Sequence, residues 1–347
     1  MRRPTIRDVA RLAGVSHQTV SRVLNDPENV VESTREAVLA AIRQLKYVPN
    51  PSARGLSSNR THTLGMVSSD ISDYFFAQAV AGAEAEARRR GFFLIIGSVE
   101  EEADDDERAY LRLMLERRVE GLIVAWPTLR PEGNGELRSL TSRVPLVVVA
   151  SGIAAAGATL VDVDNRRGGL DATSLLIGEG HRAIATITGP LEWPSARARL
   201  AGYRDALRTS GLAENPALVE TCADWGLASG QAAAARLLER GSRFTAIFAQ
   251  SDLAALGAIT ELRARGMAVP EDVSVVGYDD LPIASFVDPP LTTVHQPMRE
   301  VGALAVSLLV DATARDSSGD GEPSRHLLPA ELVVRGSVRP PARRRSS

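Results

Sequence analysis

Residues 5–25, TIRDVARLAGVSHQTVSRVLN, decide the first part of the fold. Thr5 stands where a helix N-cap belongs, with Asp8 three residues on as a capping-box partner. Ile6, Val9, Ala10 and Ala13 recur at helical spacing, and Gly14 breaks the run. Ser16 caps a second helix with Val20, Val23 and Leu24 on one face, and Asn25-Asp26-Pro27 stops it. Ser33 is expected to cap a third, TREAVLAAIRQLKY, in which Val38, Ala41, Ile42 and Leu45 repeat every three or four residues. Three short helices, the first two joined by a tight glycine turn, predict an all-α helix-turn-helix head over residues 1–48.

Outward from the head the composition changes. Residues 49–60, PNPSARGLSSNR, are linker-like, yet Asn50-Pro51 is also an N-cap followed by proline at the first helical position. A helix starting there ends near Leu56 and is weakened by Gly55, too short to stand alone in water. Residues 49–61 are therefore expected to be a hinge that a partner orders. From residue 62 apolar runs alternate with helical stretches: TLGMVSS, FFLIIGSV, GLIVAW, PLVVVAS, ATLVDVD, AIATITG, LVETC, TAIFAQ and VSVVGY. Such runs are parallel strands covered on both faces, and the span is too long for one sheet, which predicts two doubly wound α/β lobes and a cleft at their strand ends. The expected lobes are about 62–162 plus 291–321 and about 163–290 plus 322–338, with a basic tail, RPPARRRSS, over 339–347.

Charge supports this division. Residues 1–60 hold ten Lys and Arg against five Asp and Glu, a balance of +5, although the 347-residue chain carries −3. A basic head on an acidic body points to a polyanion partner. The single Cys222 excludes a disulfide framework and a thiolate zinc site. No apolar run is long enough to span a membrane and no secretory signal opens the chain, so a cytoplasmic protein without a membrane partner is expected.

Catalytic patterns are missing: there is no G-x-S-x-G, no P-loop and no G-x-G-x-x-G after a strand. His17, His62, His181, His295 and His326 have no metal-ligand spacing, so neither metal nor cofactor is expected. Asp279-Asp280, closing a strand, supply a ligand acceptor and a structural cap rather than an acid and a base, and the protein is not expected to be an enzyme. The acidic run 100–107, EEEADDDE, reads as a solvated helix start.

The strings TIRDVARLAGVSHQTVSRVLN and TREAVLAAIRQLKYVPNPSARGL resemble the head of the LacI/GalR family of bacterial transcription regulators. The likeness continues through LGMVSSDISDYFF, GPLEWPSARARLAGYRDAL, ADWGLASG, VSVVGYDD and PPLTTVHQP, and implies a body with the periplasmic-binding-protein fold. It implies a repressor that binds double-stranded, pseudo-palindromic operator DNA as a homodimer. The second helix enters the major groove by Ser16, His17, Gln18 and Thr19, with Ser21, Arg22 and Asn25 further along. Gln18 pairs with adenine and Arg22 with guanine, while Thr5, Ser16 and the main chain hold phosphates. His17 and Gln18 stand where family members vary to choose operators. Asn50 opens the hinge helix, and Leu56, with Ala53 one turn earlier, is the family's minor-groove wedge.

In the cleft the resemblance assigns Arg199 and Asp279 to ligand hydroxyls and Trp225 to the face of a sugar ring, with Gln296, Ser69, Phe75, Trp126 and Ser251 at matched positions. The chain departs from the family's namesake at Ala125, Ala150 and Ser251, where polar sugar-binding side chains are lost, and at Met298, which replaces an aromatic. A roomier, less polar pocket is expected, for a sugar or glycoside inducer released from the galactoside pattern. A purine corepressor is the alternative ligand, and a sugar-binding transport protein the alternative class.

Overall fold

The computed structural model describes residues 4–47, 60–68, 71–99, 104–125, 144–149, 158–314 and 324–342. The chain divides into two compact units, Met1–Thr61 and His62–Ser347.

The first unit holds three helices, α1 (Ile6–Ala13), α2 (His17–Asn25) and α3 (Glu32–Leu45). The amide and hydroxyl of Thr5 both donate to the Asp8 carboxylate, at 2.9 and 2.7 Å. Gly14 ends α1 in the left-handed conformation, φ +68°, which a side chain would resist. Ser16 caps α2 by accepting the Thr19 amide at 3.0 Å. The third cap differs from expectation: α3 begins at Glu32 after Val31, which has no side-chain acceptor, and Ser33 lies inside the first turn. Val9, Val20 and Val38, one from each helix, are wholly buried, with Ala10, Val23 and Ala41 beside them. Each buried valine contributes about 1.5–3 kcal/mol, a sizeable share of the stability of so small a core.

The second unit is built on two parallel sheets. One has the order β11-β5-β4-β3-β1-β2, from β1 (Thr63–Ser68), β2 (Phe93–Ser98), β3 (Leu122–Ala125), β4 (Leu146–Val149), β5 (Thr159–Val163) and β11 (Arg325–Leu328). The other has the order β7-β6-β8-β9, from β6 (Ile184–Thr188), β7 (Val219–Thr221), β8 (Ala246–Ala249) and β9 (Ser274–Val276). The strands of each sheet pair in parallel throughout.

Period-two alternation loads both faces. In the first sheet Leu64, Met66, Ile123, Val147 and Val161 join one apolar cluster, and Val67, Leu122, Val124, Val148 and Leu160 another. The first face is covered by α4 (Tyr74–Arg89) and α10 (Met298–Ala314), and the second by α5 (Asp104–Glu116), through Leu111 and Met114. In the second sheet α6 (Asn165–Gly178) and α7 (Pro194–Thr209) cover Ile184, Ala246 and Phe248. Helices α8 (Leu227–Glu239) and α9 (Asp252–Ala264) cover Ala185, Ile187 and Ile247. None of the described helices is long and apolar enough to cross a membrane.

The chain passes between the lobes three times. Residues 163–165 lead from β5 into α6, residues 295–298 from β10 (Thr293–His295) into α10, and residues 328–335 from β11 through β12 (Glu331–Val333) back to the second lobe. Strands β10 and β12 pair antiparallel, and the Asp164 amide donates to the Leu328 carbonyl at 2.8 Å, so the three passages lie side by side. Residues 322–338 were expected wholly in the second lobe. Instead β11 pairs with β5 at the edge of the first sheet, and only the segment after β12 returns, where the Val275 amide bonds the Ser337 carbonyl at 2.9 Å. A lone, partly exposed four-residue strand carries no periodicity that names its partner.

Candidate functional site

Two surfaces hold the sequence-named residues, one in each unit. In the head, Ser16, His17, Gln18 and Arg22 are exposed at and after the start of α2, and Thr19 and Ser21 are half-buried. Among the described residues the side chains of His17, Gln18 and Arg22 have neither hydrogen bond nor ion pair. Val20 and Val23, on the opposite face of α2, are buried and hold the helix to the head core. The hydroxyl of Thr5 donates to the Asp8 carboxylate at 2.7 Å. Asn25 closes α2. Asn50, Ala53 and Leu56 lie outside the described residues, as do Ser69 and Trp126.

In the body, a cleft of about 550 Å3 opens between the lobes, lined by residues that follow the carboxyl ends of strands. Arg199 of α7 is 4% exposed at its centre. Its Nε donates to Asn165 Oδ1 at 2.8 Å and its Nη1 to the Gln250 carbonyl at 2.6 Å, with Asp279 Oδ1 at 3.6 Å. The guanidinium lies 3.8 Å from the centroid of the Tyr278 ring and 5.2 Å from that of Trp225. Asp279 also accepts from Gln296 Nε2 at 2.6 Å. Burial pushes the Asp279 carboxyl above the ordinary carboxylate range, Arg199 pulls it back, and the neighbouring Asp252 adds to the rise. Asp279 and Asp280 have φ of +112° and +54°, so the chain turns sharply at the cleft through two consecutive left-handed, non-glycine residues.

The aromatic wall is made by two indoles. Trp193 and Trp225 meet edge to face, with centroids 5.5 Å apart and planes at 75°. Gly189, after β6, lets Trp225 lie against the backbone: a Cβ there would stand 2.3 Å from the indole carbons. Two buried polar atoms in the cleft have no partner among the described residues, Trp225 Nε1, a donor, and Gln296 Oε1, an acceptor. Phe75 and Phe76, from the start of α4, close the first-lobe side.

Of the effector residues named from the sequence, Phe75, Arg199, Trp225, Asp279 and Gln296 come together. Ser251 does not line the cleft. It is 2% exposed, its Oγ accepts the Ala254 amide as the cap of α9 and donates to the Trp225 carbonyl at 3.1 Å, so it fastens the indole loop from behind. Asp73, Asp162, Asn165, Trp193 and Ser195 also line the cleft and were not named. Asp162, Asn165 and Trp193 follow or close strands, the signal that could have found them. Seven of the eleven described lining residues are Asp, Asn, Ser, Arg or Gln.

Comparison with known proteins finds a match for each unit. Residues 5–50 match the model of bacterial regulatory proteins, lacI family, and residues 173–338 that of the periplasmic binding protein-like domain. The chain is 36% identical over 344 residues to the HTH-type transcriptional repressor PurR of Vibrio campbellii (strain ATCC BAA-1116), covering 96% of this chain and 98% of that one. Among solved structures, the Lac repressor dimer bound to operator and the anti-inducer ONPF superposes with a TM-score of 0.86 at 31% identity, over 97% of this chain and 99% of that one. The complex of the transcriptional regulator CelR with cellobiose gives 0.72 at 38% identity, over 97% and 100%.

Proposed function

The chain belongs to the lacI family of bacterial regulatory proteins, and from that premise we propose that it is an operator-binding repressor released by a sugar or glycoside held between its lobes. One observation carries this: a reading helix with bare Gln18 and Arg22 shares a chain with a cleft whose indole and amide, Trp225 Nε1 and Gln296 Oε1, await hydrogen-bond partners. A hydroxylated ring satisfies both atoms and lays its apolar face on Trp225. The CelR neighbour was solved with cellobiose, which supports a sugar. A purine corepressor is the second reading, because a flat base also fits the right-angled indole wall.

Each subunit reads one half-site, and the Lac repressor neighbour is a dimer on its operator. Exposed apolar side chains support self-association. Leu227, Leu253, Ile283 and Phe286 are 43, 38, 46 and 85% exposed, at the starts of α8 and α9 and in the turn after β9. These elements are held together by the Ser251–Trp225 bond and by the Leu281 amide donating to Asp252. The ligand changes the angle between the lobes and so the spacing of two hinge segments over residues 49–61. Tenfold weaker operator binding needs only about 1.4 kcal/mol of differential affinity.

A gel shift on a symmetric operator, with and without cellobiose, ribose, adenosine and guanine, tests the scheme. Release by a sugar supports the inducer reading, and tightening by guanine the corepressor reading. Unchanged operator binding after His17→Ala and Gln18→Ala together refutes the reading helix. Equal hydrogen-exchange protection of Pro51 to Leu56 with and without operator refutes the hinge.

A further inference from the structure

The cleft's charges narrow its ligand. The titratable groups of its described lining are Asp73, Asp162, Asp279 and Arg199, three carboxyl groups against one guanidinium. Two nitrogens of the guanidinium are already engaged, Nε with Asn165 and Nη1 with the Gln250 carbonyl and Asp279. Three helices, α4, α6 and α7, begin at the cleft, and helix N-termini attract anions. In each that attraction is already answered or reduced. The carboxylate of Asp73 accepts the Phe75 and Phe76 amides at 2.7 and 3.4 Å at the start of α4. Asp164 accepts the Arg167 amide at 2.9 Å at the start of α6. Helix α7 has no carboxylate cap, but Pro194 at its first position has no N–H, which leaves the amides of Ser195 and Ala196 alone in that turn.

We infer that the cleft admits an uncharged, hydroxyl-rich ring compound and rejects its phosphorylated form. This rests on the reading of the cleft as the effector site and specifies the ligand's charge. A phosphate group brings two negative charges and acceptor-only oxygens into a site that sets three carboxyl groups against one guanidinium. A neutral ring offers hydroxyl donors to the carboxylates of Asp73 and Asp162 and an acceptor to Trp225 Nε1. Through Nε and Nη1, Arg199 serves as an internal strut that orients Asp279 and Asn165.

The test is calorimetric titration of the full chain with matched pairs: glucose and glucose 6-phosphate, ribose and ribose 5-phosphate, adenosine and AMP, with inorganic phosphate alone as a further arm. At least one neutral member binds, and its phosphate ester binds about a hundredfold more weakly or not at all. Asp73→Asn keeps the helix cap, since asparagine caps as well as aspartate, and it narrows the gap between ester and parent by about tenfold. An ester that binds as tightly as its parent, or inorganic phosphate that competes with the neutral ligand at equal concentration, overturns the rejection of anions while leaving the cleft as the effector site. If no member of any pair binds, the effector-site reading fails and the charge selection with it.

Discussion

Replacing Gly189 with alanine displaces the indole that forms one wall of the cleft without altering the indole itself. The new Cβ would stand 2.3 Å from Cη2 and Cζ3 of Trp225 and 2.6 Å from Cζ2. Carbon atoms in ordinary contact are about 3.5–4.0 Å apart, so the ring must withdraw by more than about 1 Å. Withdrawal strains the packing by about 1–3 kcal/mol and breaks an edge-to-face contact with Trp193 of about 0.5–1.5 kcal/mol. The loop cannot yield freely, because Ser251 Oγ holds the Trp225 carbonyl from behind. Gly189→Ala should therefore cost about 2 kcal/mol in urea denaturation and abolish cleft binding. Made together with Trp225→Ala, the same change should cost almost nothing. The coupling energy from the double-mutant cycle is then about 2 kcal/mol. Additivity of the two substitutions to within about 0.5 kcal/mol would show that the glycine is not there for the indole.

Gln18→Ala and Arg22→Ala should each weaken operator binding by about 1–3 kcal/mol in fluorescence anisotropy and leave thermal unfolding of the head unchanged, since neither side chain has a partner there. Thr5→Ala removes one of the two donors to Asp8 and should lower head stability by about 0.5–2 kcal/mol, read by circular dichroism. His181 is buried against Thr245 and the Arg339 carbonyl, and burial lowers its pKa. The unfolded chain then takes up a proton more readily than the folded one. The stability His181 confers is complete above about pH 6.5 and is lost as pH falls toward its folded value. Urea midpoints measured at pH 7.5 and 5.5 should fall less in His181→Asn than in the parent, and equal falls would refute the linkage.

The head was legible in the sequence because local forces decide it. Caps, a left-handed glycine and a three-to-four-residue apolar rhythm act within one turn of the chain, and only the start of α3 was misplaced, where Val31 precedes the helix without a capping side chain. Strands β1 to β9 were legible for a similar reason, since each lies in a run of mainly apolar residues. Strands β10, β11 and β12 were not. Each has three or four residues and a mixed surface, and pairing alone defines it. The cleft was half legible. Arg199, Trp225, Asp279 and Gln296 stood in motifs. Asp162, Asn165 and Trp193 acquire their meaning only when separate strand ends meet, and Ser251 stands behind the described lining as a helix cap bonded to the Trp225 carbonyl.

Three adjacent straps bind the two halves of the body along one margin, at residues 163–165, 295–298 and 328–335. Such a joint resists sliding and separation and leaves rotation about a single axis as its soft motion. Rotation about that axis grows into displacement with distance from the margin. Severing one strap, for instance by nicking the chain between β11 and β12, would preserve both sheets and turn a lever into a tether.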